Sequence, residues 1–255
     1  MKKLYTAAGI LCLLLSVILA YKSLTAPKAP EKPALVLKTT QTVAALTPEP
    51  PESNREEYKS PIDFEALRAL NEDIYAWLYI PGTEINHPVL QSVRGDNDYY
   101  LTHTVDRQED ENGCLFTEYL YSDKTFDVPV TVIYGHRRRS GDMFGQLQEL
   151  YAVSGSLSEY GEIIVYTPDK ELHYQVFGES EFSDMHIPYH YRRFQDRSAI
   201  LSFVEELKAY HTMTRQFDSS VEITENDRLL VLSTCLAAND DQRFLVLAKL
   251  IEEIS

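Results

Sequence analysis

Residues 228–251 read RLLVLSTCLAANDDQRFLVLAKLI. Two apolar runs rich in Leu and Val, each the length of a strand, flank a short polar break. Cys235 closes the first run and Arg243 opens the second. Upstream, VPVTVIYGH (128–136) is a third run of the same kind, ending in His136. GEIIVYT (161–167) and ELHYQVFGES (171–180) flank Pro168-Asp169-Lys170 and read as a hairpin. GCLFTEYL (113–120) is another strand candidate, and AWLYIPGTEINHPVLQ (76–91) holds two, with Pro81-Gly82 as the turn between them. Many short strands with few helices place the fold in the mainly β class, as a barrel or a sandwich. The runs alone leave both open.

Two helices interrupt this pattern. Ser60-Pro61-Ile62-Asp63 reads as a helix start with Ser60 as N-cap, and Phe64, Leu67, Leu70 and Ile74 follow at helical spacing. A second helix runs from about Ser198 to His211, with Ile200, Leu201, Val204 and Leu207 as its apolar face.

Ahead of the first helix, Lys2 and Lys3 precede an uncharged run from Leu4 to Tyr21. Some 18 apolar residues span about 27 Å, enough to cross a hydrocarbon core, and the lysines favour a cytoplasmic N-terminus. The expectation is an uncleaved membrane anchor at 1–21, a Pro-rich extracellular linker at 22–59 and a folded domain at 60–255. The protein is then single-pass in the cell membrane with that domain outside. Ala20 and Ala26 offer small residues for the competing reading, a cleaved signal peptide. The linker's Pro27, Pro30, Pro33, Pro48, Pro50 and Pro51 stand among Lys, Glu, Thr and Ala, a composition that buries no core.

The formal net charge of −15 over 255 residues speaks against a nucleic-acid partner, because affinity for phosphate backbones rests on basic clusters. Three cysteines, Cys12, Cys114 and Cys235, without a CxxC pair, speak against a zinc site or a disulfide framework. The run Glu109–Asn112 lacks the alternating ligands of a calcium loop. No metal site and no cofactor are expected. Read singly, Cys235 is a small buried hydrophobe or a reactive thiol, and His136 and Arg243 are ordinary surface or core residues. Read together, two strand ends hold a thiol and an imidazole rigidly, with an arginine opening the next strand. That set suits a nucleophile, a proton-transfer partner and an oxyanion donor.

These segments resemble the class B sortases of Gram-positive bacteria. YGH…MFGQL (134–147) is similar to the sortase histidine segment, and LVLSTC…R (230–243) to its cysteine–arginine segment. WLYIPGTEINHPVLQ and DNDYYLTH…NGCLF (77–116) are similar to the N-terminal region of class B members. The resemblance implies an eight-stranded β-barrel with an N-terminal helix and a helix before the cysteine strand. It implies Cys235 as nucleophile, His136 as general acid–base and Arg243 as the residue steadying the substrate carbonyl or its oxyanion. It also implies groove residues at Ser233, Asn97, Leu101 and Tyr189, or Tyr191 in place of Tyr189. The implied activity is transpeptidation without a cofactor. A C-terminal sorting signal is cleaved after Thr, and the surface protein is joined through a thioacyl-enzyme to a peptidoglycan precursor amine. A pilin-polymerising member, a cysteine hydrolase and a non-enzymatic membrane-anchored surface-binding module are the alternatives.

Overall fold

The computed structural model describes residues 58–137, 143–212, 214–236 and 241–255. The expected anchor at 1–21 and almost all of the 22–59 linker lie outside them, as does the whole unit Met1–Leu35; every described residue belongs to the unit Val36–Ser255. The expectation of a single-pass membrane protein meets a correction. Among the described residues no helix is long and apolar enough to cross a membrane. The longest of them has 12 residues and spans only about 18 Å, against a hydrocarbon core of about 30 Å.

Helix α1 (Phe64–Leu70) starts at Asp63, whose carboxylate accepts the Ala66 amide at 3.1 Å. Ser60, the expected cap, takes the Ile62 N–H instead. The helix stops at Asn71, earlier than its apolar spacing suggests, so Ile74 opens a strand and Leu70 is exposed. The cause is side-chain competition with the helix. Asn71 Nδ2 donates to Tyr100 Oη at 2.9 Å and to the Val105 carbonyl at 2.6 Å, while its Oδ1 accepts the Asp73 amide.

Among the described residues nine strands follow: β1 (Ile74–Tyr79), β2 (Asn86–Leu90), β3 (Leu115–Phe116), β4 (Val130–Tyr134), β5 (Glu162–Tyr166), β6 (Glu171–Ser183), β7 (Arg215–Phe217), β8 (Leu229–Cys235) and β9 (Gln242–Ile254). Eight of them pair in the order β5-β1-β2-β3-β4-β8-β9-β6, and β6 pairs back onto β5. The ring is therefore a closed eight-stranded barrel, and closure decides between barrel and sandwich. The length of β6 makes it possible. Its first residues, Glu171–Gln175, bond β5, while Gly178–Ser180 further along bond the short extra strand β7. Its other edge follows β9 for the full 13 residues. The turn at Pro81-Gly82 and the hairpin at Pro168–Lys170 stand where the sequence puts them.

Helices α2 (Leu147–Tyr151), α3 (Ser156–Glu159) and α4 (Ile187–His190) are too short for a helical period to show in sequence, whereas α5 (Ser198–Ala209) matches its expected place. Strand alternation sorts the core into two layers. Leu230, Leu232, Phe244, Val246 and Ala248 face the barrel interior with Leu78, Ile133, Val165 and Tyr174. Val130, Val132, Leu229, Val231, Leu245 and Leu247 face outward, under Ile200, Phe203, Val204 and Leu207 of α5. Burying each such side chain is worth about 1.5–3 kcal/mol. Leu201, expected on that apolar face, is exposed, and Phe203 takes the buried position.

One group in the core opposes this gain. Glu179 on β6 is fully buried, and among the described residues neither of its carboxylate oxygens has a hydrogen-bond partner. Burial pushes its carboxyl up to about 7; the Gln216 amide beside it offsets part of that, and the Glu181 charge adds to it. The folded state thus holds a proton that the unfolded chain loses above its ordinary value of 4.5. Stability from this group is full at low pH and falls as pH rises through 7, by roughly 3 kcal/mol in all. Glu179→Gln cannot ionise. Its melting temperature relative to wild type should therefore climb by several degrees between pH 5 and pH 8.5. A constant difference in calorimetric scans would mean that the carboxyl is not neutral in the fold.

Candidate active site

Three adjacent strands, β4, β8 and β9, build the site by register. β8 and β9 are antiparallel, with Cys235 directly opposite Arg243, so their Cα atoms are roughly 4.5–5.5 Å apart. β4 and β8 are parallel, with Tyr134 beside Ser233. The ladder runs one residue beyond β4, because the Gly135 amide donates to the Ser233 carbonyl at 3.1 Å. His136 therefore arrives level with Cys235. Alternation puts Tyr134, His136, Ser233, Cys235 and Arg243 on the outer face of the barrel, where the layer beneath α5 opens to solvent.

Gly135 explains why the histidine segment reads YGH…MFG. A Cβ at that position would stand 2.3 Å from Leu115 Cδ2 and 2.6 Å from Phe144 Cδ2. Phe144, buried, packs where the missing side chain would be. Arg137 bridges to Met143, bringing the two halves of the segment together. Arg138 and Arg139 lie outside the described residues.

A cavity of about 200 Å³ brings Cys235, His136 and Arg243 together with Ser233 and Leu101. Asn97 is not part of its lining. It sits on the loop before, where its Oδ1 accepts the Leu120 amide at 3.0 Å and ties the two rim loops. Tyr189 is 73% exposed and also outside the cavity. Tyr191 stacks on Phe194 and donates its hydroxyl to Glu206, away from the thiol.

His136 is half-buried, and its Nε2 lies 2.7 Å from the Leu101 carbonyl. Cys235 is a free, half-buried cysteine. Cys114 is buried just before β3 and points its thiol at the His103 carbonyl. Arg243 donates to the Gln242 carbonyl at 3.1 Å and stands close enough to Tyr134 for its charge to act on that phenol. Burial, and then the nearby Glu118 carboxylate, push the Tyr134 phenol well above its ordinary value, while Arg243 pulls it back down.

The opposite wall is made by Asp184, Met185, His186 and Ile187. His186 caps α4 by accepting the Tyr189 amide on Nδ1 at 3.2 Å. The hydrogen must then sit on Nε2, which donates to Glu118 Oε1 at 2.8 Å. Glu118, almost fully buried, also accepts the Tyr134 hydroxyl at 3.1 Å. One carboxylate thus ties the wall to the strand that carries His136. Glu118 and His186 are not legible as site residues from sequence, because each reads there as a solvated charge beside an apolar run. Among the described residues no group of three or more His, Cys, Asp or Glu could hold a metal ion.

Chemically, the cavity holds a thiol, an imidazole and a guanidinium on rigid strand ends, which are the parts that acyl transfer through a thioester requires.

The sortase domain model matches residues 78–251 of the chain. Sortase B of Listeria monocytogenes is 30% identical over 200 residues, covering 72% of this chain and 72% of that protein. Sortase B of Staphylococcus aureus is 28% identical over 258 aligned positions, covering 99% and 98%. The structure of a Staphylococcus aureus sortase B–substrate complex superposes with a TM-score of 0.63 at 28% identity, covering 74% of this chain and 84% of that one.

Proposed function

Because this chain belongs to the sortase family, as a class B cysteine transpeptidase, we propose that it cleaves a C-terminal sorting signal after threonine and joins the surface protein to a cell-wall peptide amine. The observation that carries the reading is the register: Cys235 opposite Arg243, and His136 level with Cys235, on one face and in one cavity.

In this reading His136 takes the thiol proton and Cys235 attacks the threonine carbonyl carbon, forming the C–S bond. The carbonyl oxygen gains the negative charge, and Arg243 stabilises it with a guanidinium that stays charged throughout. As the intermediate collapses the C–N bond breaks, and His136 passes its proton to the departing amine. A thioacyl-enzyme remains. The acceptor amine then attacks the same carbon, gives a proton to His136 and displaces the sulfur, which recovers that proton. No cofactor enters, because the protein carries its own nucleophile. Ser233 and Leu101 line the cavity at positions where a peptide strand would lie along the catalytic face. The staphylococcal relative has been captured as a complex with its substrate, which supports a substrate-binding role for this cavity.

The test is to incubate the purified protein with sorting-signal peptides, with and without amine nucleophiles, and follow the products by mass spectrometry. The expected result is a peptide–amine conjugate with a glycine-type or diamino-acid cell-wall peptide, and slow hydrolysis without it. Conjugation to a lysine side chain alone would mark a pilin polymerase. Hydrolysis unaffected by any amine would mark a hydrolase, and an unchanged peptide would remove the reading.

A further inference from the structure

We propose that Gly113, which touches neither the thiol nor the imidazole, is a positioning residue that fixes the tautomer of His136 through the backbone carbonyl of Leu101. The proposal rests on the reading of His136 as the proton-transfer group.

The Leu101 carbonyl can only accept a hydrogen bond. Its 2.7 Å contact with His136 Nε2 therefore places a hydrogen on that nitrogen, and in the neutral ring the lone pair falls on Nδ1. A carbonyl has no side chain of its own to set its place, so the backbone around it must. Leu101 ends a 3-10 turn (Tyr99–Leu101) anchored on its buried side by Tyr100. The Tyr100 hydroxyl donates to Asp73 Oδ2 at 2.6 Å and accepts from Asn71. Behind the turn runs the segment 110–114. The Asp110 amide donates to the Thr102 carbonyl and the Cys114 amide to the Tyr100 carbonyl, both at 2.9 Å.

Gly113 is the point where the two segments meet. It has φ +50, and a Cβ there would stand 2.3 Å from the Tyr100 carbonyl oxygen, 2.5 Å from the Leu101 carbonyl oxygen and 2.8 Å from the Leu101 carbonyl carbon. These are backbone atoms, so no flexible side chain can absorb the clash. Tyr100 is held by two side-chain hydrogen bonds, and the Leu101 carbonyl, at the exposed end of the turn, is the part free to move. Any residue other than glycine would push it off the line to His136. The asparagine–glycine pair in NGCLF thus acts on the chemistry at a distance: only glycine lets the carbonyl stand where it selects one nitrogen of the ring.

The experiment uses the full chain with 15N-labelled histidine, and His136→Gln identifies the His136 signals among the seven histidines. In the wild type, long-range 1H–15N spectra should show His136 protonated on Nε2 and bare on Nδ1 at a pH where the ring is neutral. Gly113→Ala should give a mixture of tautomers and lower kcat by roughly tenfold to a hundredfold, part of what a general acid supplies, with KM changed less than about twofold. A second variant introduces no new side chain: the α-hydroxy analogue of Thr102 turns the Leu101 carbonyl into an ester, a weaker acceptor. It should shift the tautomer in the same direction, and it decides alone if Gly113→Ala does not fold. The tautomer is read without substrate, so it tests the positioning even if the proposed reaction fails. A wild-type ring carrying its hydrogen on Nδ1 would overturn the proposal. So would variants that keep Nε2–H, whatever their activity.

Discussion

Replacing Cys235 by alanine is expected to abolish the thioacyl-enzyme, with turnover down by on the order of 10⁴-fold or more, while the protein melts within a few degrees of wild type. The two halves of this expectation come from different features. The thiol is the protein's own nucleophile in the proposed reaction, so its loss leaves no other route to a covalent intermediate. It is also half-buried at the end of β8, where it lines the cavity and belongs to no core cluster. Losing one sulfur there removes little packing compared with truncating Leu232 or Phe244, each with no measurable exposure and each worth roughly 2–5 kcal/mol on truncation to alanine. Intact-mass analysis after incubation with sorting-signal peptide reads the first half, and a thermal melt reads the second. A variant that unfolds outright would make Cys235 a structural thiol. A variant that still acquires the acyl mass would move the nucleophile elsewhere.

The second large effect separates His136 from Arg243. A general acid supplies roughly 10²–10⁴-fold and an oxyanion donor roughly 10²–10³-fold, so the loss on mutation to alanine cannot tell them apart. Leaving-group chemistry can. A peptide amide must be protonated as it departs, whereas an activated ester leaves without a proton. With His136→Ala, acylation from the activated ester should be partly restored. With Arg243→Ala it should not, because charge builds on the carbonyl oxygen whatever leaves. Arg243→Lys should also recover poorly, since a lysine opposite Cys235 cannot present the planar fork of donors. Acylation rates for the two substrates on the three variants decide it. Equal rescue of the two alanine variants would mean that the roles are wrongly divided.

The strands and the order of the motifs are legible in the sequence, because apolar runs such as Val130–Ile133, Leu229–Leu232 and Phe244–Leu247 lie in continuous core. The meeting of Cys235 and His136 is implied there only by likeness to a family. Its physical basis, the parallel pairing of β4 with β8, links residues about a hundred positions apart and leaves no local pattern. Helix α1 reads too long in the sequence because Phe64, Leu67, Leu70 and Ile74 keep helical spacing while Asn71 diverts the backbone into a buried hydrogen-bond cluster. The far wall of the cavity is hidden for a related reason. Glu118 and His186 stand 68 residues apart, and a charged residue shows its burial only once its partner is in place.

The pairing of β8 with β4 on one side and β9 on the other has a consequence for how the protein comes into being. β9 brings Arg243 opposite Cys235 from only eight residues along the chain, whereas β4 brings His136 level with Cys235 from about a hundred residues away. Bringing such segments together costs loop entropy before any contact repays it, and such steps are slow. A chain still folding can therefore hold Cys235 opposite Arg243 and yet lack the imidazole that completes the set. Chemical competence arrives with barrel closure as one event, and an immature molecule carries a thiol without the means to use it.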